Sequence, residues 1–260
     1  MRSEGLFDSP GESIPHMPDL LGDLMAIKPN MPPRRVVRMF KHEPGLSESL
    51  RLLAEAPYYT GRRPMEGLGR ILERVGLAGM RGLAMRVVLD EVVFTGDHPL
   101  HEPIRRHATA TAYIITVLSR YTPLPTERLF TAALLQNVGL AIPLNNGLDG
   151  DGDDDVWQAL RYAHEGISCL AAAEWDLSDE IQHIVGHHHQ LGRGLSADRD
   201  IAALVAADHI AHNMRLSIDH PSHPAPDEAS LGLALDILEL HQSQLPSVQA
   251  ESSELLRLLA

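Results

Sequence analysis

An apolar helix that ends in two neighbouring amide side chains is the feature that most restricts how this chain can fold. Thr126 follows a proline, as the first residues of helices often do, and the spacing of apolar residues predicts a helix over 126–138 that ends at Gly139. The apolar face consists of Leu129, Phe130, Ala133, Leu134 and Val138. Gln136 and Asn137 lie at its end, where amides are costly unless they have polar partners. The pattern therefore predicts a polar site at this helix end.

Histidines and an aspartate lie before and after this helix in sequence. They are His107, His164, His187, His188, His189 and Asp208. Imidazoles and carboxylates are ligands for divalent metals when they converge from several helices, and a site for two metals usually has a bridging carboxylate as well. Two interpretations follow from the residues alone. Either hydrogen bonds hold these side chains in a core without metal, or some of them bind one divalent ion.

Composition and charge exclude several classes of function. The chain has 22 Lys and Arg residues against 35 Asp and Glu residues, for a formal charge of -13. Such a charge repels phosphate backbones and argues against nucleic-acid binding. The single cysteine, Cys169, lies in an apolar run and predicts a buried, inert thiol in a reducing compartment. No run of about 18 apolar residues and no secretory signal is present, so we expect a cytoplasmic protein without a membrane partner.

Helical periodicity without strand-like alternation predicts an all-α fold. Residues 1–16 lack periodicity and are interpreted as a flexible N-terminal arm. Residues 17–100 form a first helical part, and 101–215 form a second one that carries the histidines. Residues 216–260 comprise a proline-containing linker followed by two amphipathic helices. The apolar faces of these last helices either cover the core or mediate self-association, and the sequence leaves both open.

The order of the polar residues resembles the HD superfamily of metal phosphohydrolases. In that family a distant His, a His-Asp doublet at a helix end, further histidines and a late Asp surround one or two metals. Gln136 and Asn137 stand at the doublet, so the resemblance implies a relic pocket. Its residues would be His107, Gln136, Asn137, His164, His188, His189 and Asp208. The spacing of the family favours His188 and His189 over His187.

A second resemblance, to HDOD domains, runs from about residue 17 to residue 213. The matching segments are Glu43-Pro44-Gly45-Leu46, Leu50-Arg51-Leu52-Leu53, Ala56-Pro57-Tyr58-Tyr59, His164-Glu165-Gly166, Trp175 and His187-His188-His189. An HDOD domain is a degenerate relative of the HD phosphohydrolases. The resemblance implies an HDOD-type multi-helix fold, in which an N-terminal helical subdomain packs on a degenerate HD-like subdomain.

The resemblance also implies a function: a bacterial signal-transduction module without catalytic residues. Such a module would bind signalling proteins or a small ligand such as a nucleotide. No cofactor is expected, or at most one divalent ion at His107, His164, His188, His189 and Asp208. The alternatives are a divergent metal-dependent phosphohydrolase acting on a nucleotide or cyclic dinucleotide, and an adaptor that forms homo-oligomers through its C-terminal helices.

Overall fold

The computed structural model describes most of the chain from residue 84 onwards. The described residues are 14–17, 31–32, 34–35, 37–38, 69, 82, 84–148, 154–191, 198–220, 223 and 226–257. Most of the predicted arm and of the N-terminal helical part therefore lies outside the described residues. Tyr58 and Tyr59, which form part of the HDOD resemblance, also lie outside the described residues.

The all-α prediction is confirmed for the part of the chain that the structure describes. Residues 84–92 are helical, and eight further helices follow: α1 (His101–Leu118), α2 (Thr126–Leu135), α3 (Val138–Asn145), α4 (Asp154–Glu174), α5 (Asp179–Gly186), α6 (Arg199–Asn213), α7 (Glu228–Leu238) and α8 (Leu245–Arg257). A 3-10 turn, Gln242–Gln244, precedes α8. The described residues include no strand, only an isolated antiparallel bridge between His220 and His223. No helix among these residues combines the length and the apolar composition that a membrane crossing requires.

The core is built around α1 and α6. Helix α1 packs against α2, α6 and α8, while α4 packs against α3 and α5. Every residue from Ile201 to Ala211 in α6 is buried, which is typical of a helix enclosed on all sides. Five alanines in this stretch allow neighbouring helices to approach closely. Residues 84–94 contribute apolar side chains to the same core, so this end of the N-terminal part shares one core with the histidine-bearing helices.

The prediction that one helix runs over 126–138 and ends at Gly139 is wrong. Helix α2 ends at Leu135, and α3 begins at Val138, with Gly139 inside it. The hydroxyl of Ser168 explains the break, because it bonds to both sides of it. Ser168 Oγ donates to the carbonyl of Gln136 and accepts from the amide N–H of Gly139, each at 2.9 Å. A side chain of α4 thus replaces backbone hydrogen bonds that a continuous helix would form.

Gly139 also determines how closely α3 approaches α4. A Cβ atom at this position would lie 2.1 Å from the carbonyl oxygen of His164 and 2.8 Å from the amide nitrogen of Ser168. Both neighbours are backbone atoms, which cannot move aside as a flexible side chain can. The missing side chain therefore lets α3 pack directly against the backbone of the helix that carries His164.

The two C-terminal helices cover the core. Helix α7 packs on α6, and α8 packs on α1. Their buried residues include Leu231, Ala234, Leu235, Leu238, Val248 and Leu255. Arg199 ties the end of α7 to the start of α6, since its guanidinium donates to the carbonyls of Ile237 and Leu238 at 2.6 and 3.4 Å. Of the two roles left open by the sequence, packing on the core is the one that these contacts support; self-association remains a prediction.

Candidate metal centre

Six candidate ligands converge on one buried region from different elements. His107 lies on α1, His164 on α4 and Asp208 on α6, while His188 and His189 follow α5. His223 comes from the segment between α6 and α7. Their donor atoms form two groups, each with all three atoms within 4.8 Å of one another. The first, termed the three-histidine cluster, contains His164, His188 and His189; the second, termed the aspartate cluster, contains His107, Asp208 and His223.

In the three-histidine cluster, the Nε2 atoms of His164 and His188 point their lone pairs at each other. His164 Nδ1 lies 2.7 Å from the carbonyl oxygen of Arg161, and His188 Nδ1 lies 2.7 Å from that of Val185. A carbonyl can only accept, so each Nδ1 carries the proton. Burial lowers the pKa of both histidines to about 4, which leaves the rings neutral near pH 7. Their Nε2 atoms, 3.3 Å apart, therefore both present lone pairs.

A cation shared by the two rings would remove this unfavourable contact. Two nitrogens bound at about 2.0–2.1 Å to one tetrahedral ion lie about 3.3–3.4 Å apart, close to the separation of His164 Nε2 and His188 Nε2. Hydrogen bonds from the opposite ring nitrogens to carbonyls fix the orientation of metal-binding histidines in the same way. His189 adds a third imidazole whose buried Nε2 has no hydrogen-bond partner among the described residues. The three donors fit a divalent transition-metal ion.

The aspartate cluster holds a buried carboxylate between two imidazoles. His107 Nδ1 lies 3.1 Å from the carbonyl oxygen of Leu216, and its Nε2 lies 2.9 Å from Asp208 Oδ1. These last two atoms face each other directly, and neither has another partner in the described structure. Burial alone would raise the pKa of Asp208, but contact with His107 and then the imidazoles of His223 and His189 hold it well below its usual range. The carboxylate is therefore ionised.

The amides at the break between α2 and α3 lack hydrogen-bond partners. Both side-chain polar atoms of Asn137 and the Nε2 of Gln136 are buried without one in the described part of the chain. Each such group costs about 1–3 kcal/mol. Neither amide supplies the bridging carboxylate of the HD pattern, so the residues present do not fit a carboxylate-bridged pair of metals.

A cavity of about 420 Å³ opens beside both clusters. Its lining residues are Gln136, Arg161, Tyr162, Glu165, His188, His189, Leu191, Leu204, Val205, Asp208, Pro226, Asp227 and Ser230. Asp227 is the N-cap of α7 and accepts from the amide of Ser230. The cavity thus connects the clusters to the first turn of a C-terminal helix, and Arg161 places a cation on its wall.

Glu165 holds the turn that presents His188 and His189. Its Oε1 accepts from the backbone amide of His189 at 2.8 Å, and its Oε2 accepts from the side-chain amide of Gln190 at 3.2 Å. Glu165 follows His164 on α4, so one short segment supplies a cluster histidine and the anchor for the other two. Its Oε1 also lies 3.9 Å from His188 Nδ1, so the carboxylate is adjacent to the three-histidine cluster without belonging to it.

The site residues predicted from the sequence differ in burial and in the cluster to which they belong. His107, Gln136, Asn137, His164, His188 and Asp208 are all buried, and His189 is half-buried. The five residues predicted to hold one ion are divided between two groups, so their common ion remains a prediction. His187 lies outside both clusters: its Nδ1 donates to the carbonyl of His183, and its ring packs on that residue's ring. Cys169 is half-buried rather than buried, and burial raises the pKa of its thiol.

Sequence reasoning missed His223. The residues after α6 contain three prolines and no periodicity, a pattern that predicts only a linker. In the structure, His223 is 4% exposed and packs on the ring of His107 with centroids 5.0 Å apart. The one available signal was the occurrence of two histidines, His220 and His223, within this segment.

Comparison with known proteins identifies the family. The HDOD domain matches residues 14–147, more than half of the chain. The chain belongs to the HDOD family. No curated protein shows significant sequence similarity to it.

Solved structures share the fold of this HDOD protein at low identity. An HDOD domain protein from Geobacter sulfurreducens has a TM-score of 0.74 at 19% identity, with 95% of this chain and 91% of that chain covered. A candidate metal-dependent phosphohydrolase from Shewanella amazonensis has a TM-score of 0.67 at 15% identity, covering 96% and 97%. A candidate signal transduction protein from Marinobacter aquaeolei has a TM-score of 0.67 at 16% identity, covering 100% of this chain and 60% of that one. These likenesses establish the fold and not an activity.

Proposed function

We propose that this HDOD protein is a non-catalytic regulatory module of bacterial signal transduction whose three-histidine cluster binds a divalent transition-metal ion as its small ligand. The observation that carries the proposal is the pair of neutral rings, His164 and His188, whose Nε2 atoms face each other 3.3 Å apart. Membership of the HDOD family supports the regulatory role. The protein would act on partner proteins in the cytoplasm.

The amides at 136 and 137 support a role without catalysis. In hydrolysis at a pair of metals, the two ions lower the pKa of a bound water, and a carboxylate usually bridges the ions and holds them together. Asn137 has the shape of that carboxylate but no charge, and Gln136 cannot replace an imidazole as a ligand. The three-histidine cluster itself contains only neutral imidazoles and therefore supplies no bridging carboxylate either.

The cavity suggests how binding would reach the rest of the molecule. Asp227 and Ser230 of the first turn of α7 line the same cavity as His188 and His189. A ligand that prefers one position of α7 over another shifts the protein toward that position. Partner proteins would then distinguish the bound from the free state by the placement of the C-terminal helices.

The decisive experiment compares His188→Ala with His187→Ala in tag-free protein. We expect His188→Ala to weaken zinc or cobalt binding by about 100-fold or more, because a ligand matters at least as much as its outer-shell partners. His187→Ala should bind like the wild type, since its ring lies outside both clusters. Isothermal titration and elemental analysis measure the affinity and the number of ions. Equal affinities in the two variants would contradict the proposal.

A second function, hydrolysis of a nucleotide or cyclic dinucleotide, is favoured by one observation. Arg161 lines the same cavity as His188 and His189. Its guanidinium could form paired hydrogen bonds with a phosphate group bound in that cavity. We expect no turnover of phosphomonoesters or cyclic dinucleotides with Mg²⁺, Mn²⁺, Fe²⁺ or Zn²⁺ in the same preparations. Turnover that survives purification and disappears in His107→Ala would instead establish the divergent phosphohydrolase.

Glu165→Ala is expected to weaken metal binding by about tenfold or more, because the turn carrying His188 and His189 loses its carboxylate anchor. The free energy of unfolding should fall by about 1–2 kcal/mol. Glu165→Gln is the matched control: its carbonyl oxygen still accepts from the amide of His189, so most of the affinity should remain. Metal titration and urea unfolding provide the measurements. If Glu165→Ala binds as tightly as the wild type, the turn is held by other contacts.

A further inference from the structure

We infer that His223 completes a second divalent-metal site with His107 and Asp208, and that this site fixes the segment between α6 and α7 to the core. The inference rests on the proposed metal binding at the three-histidine cluster and extends it to the aspartate cluster. It assigns a ligand role to a residue outside the set that the HD pattern predicts.

The geometry of the three side chains fits a metal site. Their donor atoms all lie within 4.8 Å of one another, and all three residues are buried. His107 Nε2 and Asp208 Oδ1, 2.9 Å apart, fit two adjacent ligands of one ion. His223 Nε2 is buried and has no hydrogen-bond partner among the described residues. Two imidazoles with one carboxylate form a common donor set for divalent transition metals.

The charge balance also favours a cation. Asp208 Oδ1 is buried within this group of donor atoms and forms no hydrogen bond with His223 Nε2. A buried carboxylate needs a cation or several hydrogen bonds to offset its lost hydration. A divalent ion supplies the charge and gives the unpartnered Nε2 of His223 a partner.

An ion at this site would anchor the segment that leads to the C-terminal helices. His107 already holds the start of that segment, through its Nδ1 and the carbonyl of Leu216. His209 holds its end, since Nε2 lies 2.7 Å from the carbonyl oxygen of Asp227, the N-cap of α7. His223 lies between these two attachments. Coordination of His223 would therefore join the middle of the segment to α1 and α6.

The test counts ions in four proteins: the wild type, His223→Ala, His188→Ala and His220→Ala. His220 lies in the same segment, but its ring packs on Trp157 rather than in a cluster, so it is the matched control. After dialysis against cobalt or zinc, elemental analysis should find two ions per chain in the wild type and in His220→Ala. His223→Ala and His188→Ala should each retain one. His223→Asn, which keeps a polar side chain, replaces His223→Ala if the latter does not fold.

Hydrogen exchange of the full chain gives an independent readout. Metal should slow the exchange of amides in residues 214–220 at least tenfold in the wild type and have little effect in His223→Ala. Two ions retained by His223→Ala would overturn the inference. So would a single wild-type ion that His188→Ala removes and His223→Ala leaves unchanged, a result that keeps the proposed function intact. Absence of any bound ion would overturn both.

Discussion

Gly139→Ala is expected to lower the free energy of unfolding by about 3 kcal/mol, among the larger effects that one methyl group can produce. The added Cβ would lie 2.1 Å from the carbonyl oxygen of His164, and α3 would have to move away from α4. That movement would also shift Ser168, whose hydroxyl bonds to both sides of the break between α2 and α3. The structural change therefore reaches His164 and the rest of the three-histidine cluster.

Gly166→Ala provides the matched control, on the same helix as His164. A Cβ there would meet no heavy atom within 4 Å. Alanine has a higher helix propensity than glycine, so the free energy of unfolding of this variant should rise by about 0.5–1 kcal/mol. Urea unfolding of both variants measures the difference, and metal titration should show weaker binding for Gly139→Ala alone. If the two alanine variants are equally stable, α3 and α4 do not approach each other as closely as described.

The sequence predicted those elements whose pattern is local. The periodicity of apolar residues predicted the all-α fold, the start of α2 at Thr126 and the two C-terminal helices, since each of these helices buries an apolar face. Histidine spacing within the HD pattern also selected His188 and His189 over His187, which lies outside both clusters. Predictions of this kind are possible because helical spacing and a short turn fix the relative placement of nearby side chains.

The features that the sequence did not predict depend on contacts between distant residues. The break after Leu135 arises from Ser168, more than 30 residues later, and no local signal marks it. His223 reaches the aspartate cluster from a non-periodic segment whose two ends are attached to His107 and His209. The division into two clusters likewise follows from how α1, α4 and α6 pack. The spacing of residues along the chain does not determine which distant residues come into contact.

Restoring the doublet, with Gln136→His and Asn137→Asp together, is expected to tighten metal binding by at least about tenfold, because an imidazole and a carboxylate join the donor set. Gln136 lines the cavity with His188, His189 and Asp208. Asn137 is 1% exposed, and the unpartnered state of its amide means that the change to aspartate removes no hydrogen bond. Isothermal titration with zinc measures the affinity.

The same variant should become dependent on metal for stability. A buried carboxylate at position 137 without a cation is costly, so the metal-free double variant should melt below the wild type. Metal at about 100 times its dissociation constant adds about 2.7 kcal/mol, which should more than restore the melting temperature. Gln158→Glu makes an amide-to-carboxylate change at an exposed position of α4 and should alter neither quantity. A folded double variant with wild-type affinity would mean that the side chains at 136 and 137 do not reach the clusters.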